Sequence, residues 1–292
     1  MLVNKKIVLP IICFCLVALI GGLVYATVNT NATSETDAID FGEFAGELQK
    51  TVENQCKDKE DVNIVFYESK GKDIIATYGD TNIKFKPSSL FKYIVLGIGI
   101  NEGVVQDNDT YTCNGSYKVG ELNFRCFEKN GHGELNICSG IQESCPMACV
   151  EIAKKVDDAT FYNYLKKLGI SLLDSNEKDS PKGLNIIPTA IGNGIEVTPE
   201  ELLSVYSEIL NNPEIFSDTC RKSIYEYMSC EAMNDEVVYI EGICYSEAIE
   251  IPTVISVIKK NDGFLVGMTY SEKHDKKELL DITKKILNDY TL

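Results

Sequence analysis

The chain has 292 residues, 44% hydrophobic and 25% charged, enough for one large globular domain with a sizeable core. Its net charge of -16 at pH 7, with no basic stripe, argues against nucleic acid as a partner and fits a soluble acidic surface.

Ile7 to Val28 is apolar except for Tyr25 and Thr27, and Lys5 and Lys6 precede it. A bilayer span takes about 20 such residues. Lysines before the run and acids after it put the N-terminus in the cytoplasm and the rest outside. Small residues near Ala26 leave cleavage open, although a cleaved signal peptide has a shorter apolar region. Residues 1–28 are therefore read as a membrane anchor or signal. The expected location is the cell membrane by a single pass, or the exterior if the segment is cleaved.

Asn29 to about Ala38 is rich in Asn, Thr, Ser and Asp and reads as a linker. Phe41 to Cys56 has a weak helical period with Phe44, Leu48 and Val52 on one side, a short stalk helix that completes the 29–61 stretch. Val62–Tyr67 and Asp73–Tyr78 are strand-like runs split by Ser69-Lys70-Gly71-Lys72, which predicts a hairpin. Ser89 to Asn101 reads as a buried helix closed by Gly103. Thr110 to Gly133 has no helical period and is rich in Gly, Cys and aromatics. Helices are predicted at Glu134–Gln142, Pro146–Val156 and Ala159–Leu168, the last stopped by Gly169.

Thr198-Pro199-Glu200-Glu201 is a capping box with proline at the first helical position, and it starts a helix to about Asn211. Ser217–Met228 reads as another helix. Strands follow at Val237–Ser246, Thr253–Lys260 and Phe264–Tyr270, the last two joined by Asn261-Asp262-Gly263. Asp275–Asn288 is a final amphipathic helix. Strands, many helices, strands, then a helix predict an α+β fold. Its antiparallel sheet would join the two ends of the chain, with helices flanking it.

Ser89 and Lys92 lie three apart at the start of the most apolar helix, after Lys86-Pro87-Ser88. That spacing puts both on one helix face. A desolvated lysine can act as base for a neighbouring hydroxyl, the core of a serine acyl-transfer enzyme. The same spacing recurs at Ser69 and Lys72, Ser175 and Lys178, and Ser256 and Lys259. Only the Ser89 copy combines a preceding proline with a helix apolar enough to be buried.

Of 11 cysteines, Cys13 and Cys15 lie in the apolar run. Cys56, Cys113, Cys126, Cys138, Cys145, Cys149, Cys220, Cys230 and Cys244 lie outside it. Export permits disulfides, and the odd count leaves an unpaired thiol or an intermolecular bridge. Cys113 and Cys126 flank a hairpin-like excursion containing Gly115 and Gly120. A disulfide there would close a loop of about 14 residues and stabilise the fold by roughly 3 kcal/mol. The alternative is two free buried thiols. No C-x-x-C pair occurs, and His132 and His274 are the two histidines, so no zinc site, and no metal or cofactor, is expected.

In this order, the motifs resemble the transpeptidase domain of penicillin-binding proteins, shared with serine β-lactamases. Pro87 to Lys92 is similar to the family's proline, small residue, Ser-x-x-Lys. Cys113-Asn114-Gly115-Ser116-Tyr117, Phe124-Arg125-Cys126 and Gly131-His132-Gly133-Glu134-Leu135 resemble the segment between the family's first two motifs. Glu143-Ser144-Cys145 lies where the family has Ser-x-Asn. Ala190-Ile191-Gly192-Asn193-Gly194 and Val197-Thr198-Pro199 resemble its Gly-Gln/Asn-Gly and Thr-Pro motif. The likeness covers residues 62–292 and implies a five-stranded antiparallel sheet flanked by helices. About 33 residues separate the apolar run from the first strand, too few for a glycosyltransferase or pedestal domain.

The resemblance implies that Ser89 attacks a D-alanyl-D-alanine or β-lactam carbonyl, Lys92 takes its proton, and Ser144 relays that proton to the leaving amine. Two departures weaken this. Pro146 replaces the asparagine of the second motif. The Lys-Thr/Ser-Gly of the third is absent, with Gly242-Ile243-Cys244 expected at or near its place as substrate-binding positions. Ser89 and Lys92 are either a working pair or a relic packed in the core. Ser144 is either a relay or a helix cap. His132 reads as a structural turn, and Cys145 and Cys244 as cleft-wall residues. Two functions follow. One is an impaired D,D-transpeptidase acting on peptidoglycan stem peptides or β-lactams. The other is an inactive membrane-anchored pseudoenzyme that binds cell-wall peptide, β-lactam or a protein partner.

Overall fold

The computed structural model describes residues 41–106, 108–119, 121–172, 186–229, 237–260 and 263–288. The apolar run Ile7–Val28, the 29–38 linker, Cys230, and Asn261 and Asp262 of the expected turn lie outside the described residues. Among the described residues no helix is long and apolar enough to cross a membrane. The chain divides into Met1–Phe44 and Ala45–Leu292, and the fold that follows is that of the second unit.

Helix α1 (Phe41–Cys56) has the expected bounds, and its Leu48, Val52 and Cys56 are buried. Gln49 exchanges two hydrogen bonds with the backbone of Thr77, so residues 45–56 are docked on the sheet rather than standing away from it. Strands β1 (Asn63–Glu68) and β2 (Asp73–Tyr78) form the expected hairpin. Its turn is held by the Glu68 carboxylate, which accepts the N–H groups of Lys70 and Gly71.

A 3-10 turn (Ser88–Phe91) leads into α2 (Lys92–Asn101). Lys92 through Gly99 are all buried. A helix apolar on every side needs protein on every side. Here the neighbours are four helices: α3 (Ile137–Gln142), α4 (Pro146–Lys155), α7 (Pro199–Asn211) and α8 (Asp218–Ser229). Each fully buried Leu, Ile or Phe of this core contributes roughly 1.5–3 kcal/mol.

The segment expected to be irregular contains two small ribbons. Strand β3 (Thr110–Cys113) pairs with β6 (Gly133–Asn136), and β4 (Ser116–Val119) pairs with β5 (Leu122–Arg125) as the anticipated excursion. The predicted helix from Glu134 is therefore corrected. Residues 134–136 are strand, and α3 (Ile137–Gln142) starts only where the Asn136 side chain accepts from the Ser139 N–H. Partnership with β3 outweighs the helical preference of Glu134 and Leu135.

Helix α5 (Asp158–Lys167) is capped by Asp157, and α6 (Ile187–Ala190) is one turn. Thr198 and Glu201 form the predicted capping box at α7. Strands β7 (Val237–Ser246), β8 (Ile249–Lys260) and β9 (Gly263–Tyr270) follow, and α9 (Lys276–Leu287) begins at a second capping box, Asp275 with Glu278. Strand β8 starts four residues earlier than predicted because Ile249–Pro252 pair with Ile243–Ser246. The main sheet runs β2-β1-β9-β8-β7, every neighbouring pair antiparallel. The fold is α+β, as expected, and β7 lies at the edge of the sheet.

Candidate active site

The 3-10 turn packs against the open edge of β7. Lys86 and Tyr245 exchange backbone hydrogen bonds at 2.8 and 3.0 Å, which locks the segment before the turn onto the strand. The Ser88 N–H donates to the Gly192 carbonyl at 3.0 Å, and Ser88 has φ +45. The Gly192-Asn193-Gly194 segment thus holds the backbone just ahead of Ser89. From α7, the buried Tyr206 hydroxyl donates to the Leu90 carbonyl at 2.6 Å. Tyr206→Phe leaves that buried carbonyl without this donor. We expect a loss of about 1–3 kcal/mol in urea unfolding and an unchanged fold by circular dichroism.

Ser89 Oγ accepts the Ile243 N–H at 3.1 Å. The strand comes this close because residue 242 is glycine. A Cβ there would lie 2.5 Å from Leu90 Cδ2 and 3.0 Å from Ser89 Oγ. Side chains alternate along a strand, so Ile240 and Cys244 share the face of Gly242. Consistent with this, the buried Cys244 thiol reaches the Pro87 carbonyl at 3.8 Å. Burial pushes that thiol up to about 12, so it is a packed neutral group and not a nucleophile.

Lys92 is 5% exposed, and its Nζ donates to Ser144 Oγ at 2.7 Å. Its Nζ also lies 5.1 Å from the Tyr93 ring centroid. Ser144 sits at φ +55, between the end of α3 and the start of α4. Its N–H donates to Ile141 O at 3.1 Å and that of Cys145 to Gly140 O at 2.8 Å. Pro146 takes the first position of α4, where a missing N–H costs nothing. The structure thus joins Ser144 to Lys92 and the strand 242–243 to Ser89, across four separate elements.

The disulfide expected between Cys113 and Cys126 is not formed, and both are free thiols. The hairpin does bring the two to one end, but into a larger cluster. Cys126 Sγ lies 3.4 Å from His132 Nδ1 and 3.9 Å from Cys145 Sγ. Cys113, Cys126, His132 and Cys145 have their donor atoms within 4.8 Å of one another, a grouping the sequence reading did not contain. No short motif joins these four positions, so sequence spacing hid the cluster. Burial pushes the Cys113 thiol up, but hydrogen bonds from His132 and from the Gly115 backbone outweigh it and bring it down to about 7.

Comparison with known proteins agrees with this architecture. The family model of the penicillin binding protein transpeptidase domain matches residues 57–242. "Stage V sporulation protein D" of Bacillus subtilis is 26% identical over 147 residues, 46% of this chain and 22% of that protein. "Peptidoglycan D,D-transpeptidase FtsI homolog" of Mesostigma viride is 27% identical over 158 residues, 45% of this chain and 26% of that protein. The chain spans about a quarter of the length of these curated relatives. Among solved structures, the TP domain of Burkholderia pseudomallei penicillin-binding protein 3 superposes with a TM-score of 0.67 at 13% identity, covering 85% of this chain and 92% of that one. The D,D-transpeptidase domain from Eggerthella lenta gives 0.69 at 11%, covering 83% and 81%.

Proposed function

The chain belongs to the penicillin-binding protein transpeptidase family, and from that premise we propose that it is acylated at Ser89 by peptidoglycan stem peptides or β-lactams, with impaired turnover. The observation that carries this is the setting of Ser89. It has a strand N–H on one side at 3.1 Å, and Lys92 three residues on is tied to Ser144 at 2.7 Å.

In the proposed reaction Lys92 takes the Ser89 proton as Oγ bonds to the carbonyl carbon. The oxyanion is stabilised by backbone N–H donors, the Ile243 N–H among them. Ser144 passes a proton from Lys92 to the leaving nitrogen as the C–N bond breaks. Water or an acceptor amine then attacks the ester and releases Ser89.

We place the family's third motif at Ile240-Glu241-Gly242, two residues before the position expected from sequence. Gly242 supports this register, because it is the residue whose lack of a Cβ lets the strand meet the serine. An apolar Ile240 and an acidic Glu241 then stand where a lysine and a hydroxyl would hold a substrate carboxylate. Lys259 does not replace them. Gly242 pairs with Thr253, and Lys259 lies six residues further along β8, about 20 Å away, with its Nζ 5.7 Å from the Tyr225 ring. This weak anchoring, with Pro146 in place of asparagine, supports the second reading, a binding pseudoenzyme. Mass analysis of the purified protein after incubation with a penicillin decides between them. One adduct on Ser89 supports the enzyme, and none at saturating concentration favours the pseudoenzyme.

The N-terminal run is proposed as the anchor, with residues 29–292 outside the cytoplasm. Protease added to intact cells should then remove the domain, while protection of Thr30 onward would refute this orientation.

A further inference from the structure

The four-residue cluster beside Ser144 has the composition and spacing of a metal site. Cys113 ends β3, Cys126 follows β5, His132 immediately precedes β6, and Cys145 caps α4. All four donor atoms lie within 4.8 Å of one another. A tetrahedral zinc ion with bonds of about 2.3 Å to sulfur and 2.0–2.1 Å to nitrogen sets its ligands about 3.8 Å apart for two sulfurs and about 3.6 Å for sulfur and nitrogen. The observed separations are 3.9 Å for Cys126 and Cys145, and 3.4 Å for Cys126 and His132. The three cysteines are buried, and no carboxylate belongs to the cluster, so the donor set suits a soft divalent ion and not calcium or magnesium.

Two further observations point to an occupant. The loops carrying Cys113 and His132 are pressed together, with Gly131 at φ +76. A Cβ at Gly131 would lie 1.9 Å from the Cys113 carbonyl oxygen. The backbone is thus built to bring these two ligands together. In addition, Tyr111 is 7% exposed, and its buried hydroxyl makes no well-formed hydrogen bond among the described residues, its sulfur partner being the Cys145 thiol. A metal-bound thiolate at Cys145 would be a much stronger acceptor for that hydroxyl than a neutral thiol.

We propose that Cys113, Cys126, His132 through Nδ1, and Cys145 bind one zinc ion in a closed, structural tetrahedron. Binding replaces three S–H bonds with Zn–S bonds and releases three protons to solvent, with no change of oxidation state. Four protein ligands leave no open position, so the ion does no chemistry on substrate. It ties both small ribbons to Cys145, and Cys145 is covalently next to the serine that holds Lys92. Cys145 is therefore a positioning residue.

The test uses the full chain, purified under reducing conditions with zinc, and does not depend on whether Ser89 reacts. Elemental analysis should give one zinc per chain. Replacement by cobalt(II) should give the intense visible bands of tetrahedral thiolate coordination. Cys126→Ser should lose those bands or bind the metal at least tenfold more weakly. Cys220→Ser should keep both the bands and the affinity, because that thiol points to the Gly97 carbonyl away from the cluster. Protein refolded with a chelator should melt at a lower temperature than protein refolded with zinc. Substoichiometric zinc, a weak octahedral cobalt spectrum, a Tm indifferent to zinc, or a mapped Cys113–Cys126 disulfide in the zinc-treated protein would each overturn the proposal.

Discussion

Ser89→Ala abolishes covalent labelling by a fluorescent penicillin while the protein still unfolds cooperatively. The hydroxyl is the acyl acceptor in the proposed reaction, and no other group takes its place. Cys244, which follows Ile243 on the strand, is held neutral by burial and turned to the Pro87 carbonyl. Loss of Oγ also removes the acceptor of the Ile243 N–H, which costs about 1–3 kcal/mol at most. Labelling and urea denaturation therefore separate a chemical loss from a structural one. Residual labelling of the alanine variant at the wild-type rate would show that the adduct forms elsewhere.

The second large effect is a gain. Ile240→Lys with Glu241→Thr, combined with Pro146→Asn, should raise the rate of penicillin labelling on the order of 10²-fold. A single polar contact to a developing charge is worth that much in other acyl-transfer sites. The register decides which positions can be repaired. A lysine at Gly242 would drive its Cβ into Leu90 and against Ser89 Oγ, so Gly242→Lys should destroy labelling. An increase from Gly242→Lys, and none from the triple variant, would move the third motif back to 242–244.

Most of the scaffold was legible in the sequence because its signals are local. The capping box at Thr198, Pro199 at the first helical position and the apolar, β-branched runs of β7 and β9 each act within a few residues. Motif order also anticipated that Lys92 and Ser144 would meet, which they do at 2.7 Å. The close approach of Gly242 to Leu90 and Ser89 was not legible, since it is a contact across about 150 residues that no spacing encodes. The sulfur cluster failed for the same reason. A search for C-x-x-C assumes that two ligands share one loop, whereas here each ligand comes from a different turn or strand end. Glu134 and Leu135 were misassigned because pairing with β3 supplies an energy that helix propensity does not include.

The position of β9 has a consequence for how this chain comes to be folded. It lies between β1 and β8, and its Tyr270 pairs with Asn63, 207 residues earlier. A chain emerging N-terminus first can form the β1–β2 hairpin early but must leave the other edge of β1 open until nearly all of the polypeptide has appeared. Closing so long a loop places this domain among slow folders of high contact order. During that interval the unpaired N–H and C=O groups along the open edge of β1 are a template for pairing with other chains. The edge of β1 that β9 covers is thus the last backbone of the main sheet to be paired, and the first to be exposed if the C-terminal strands come away.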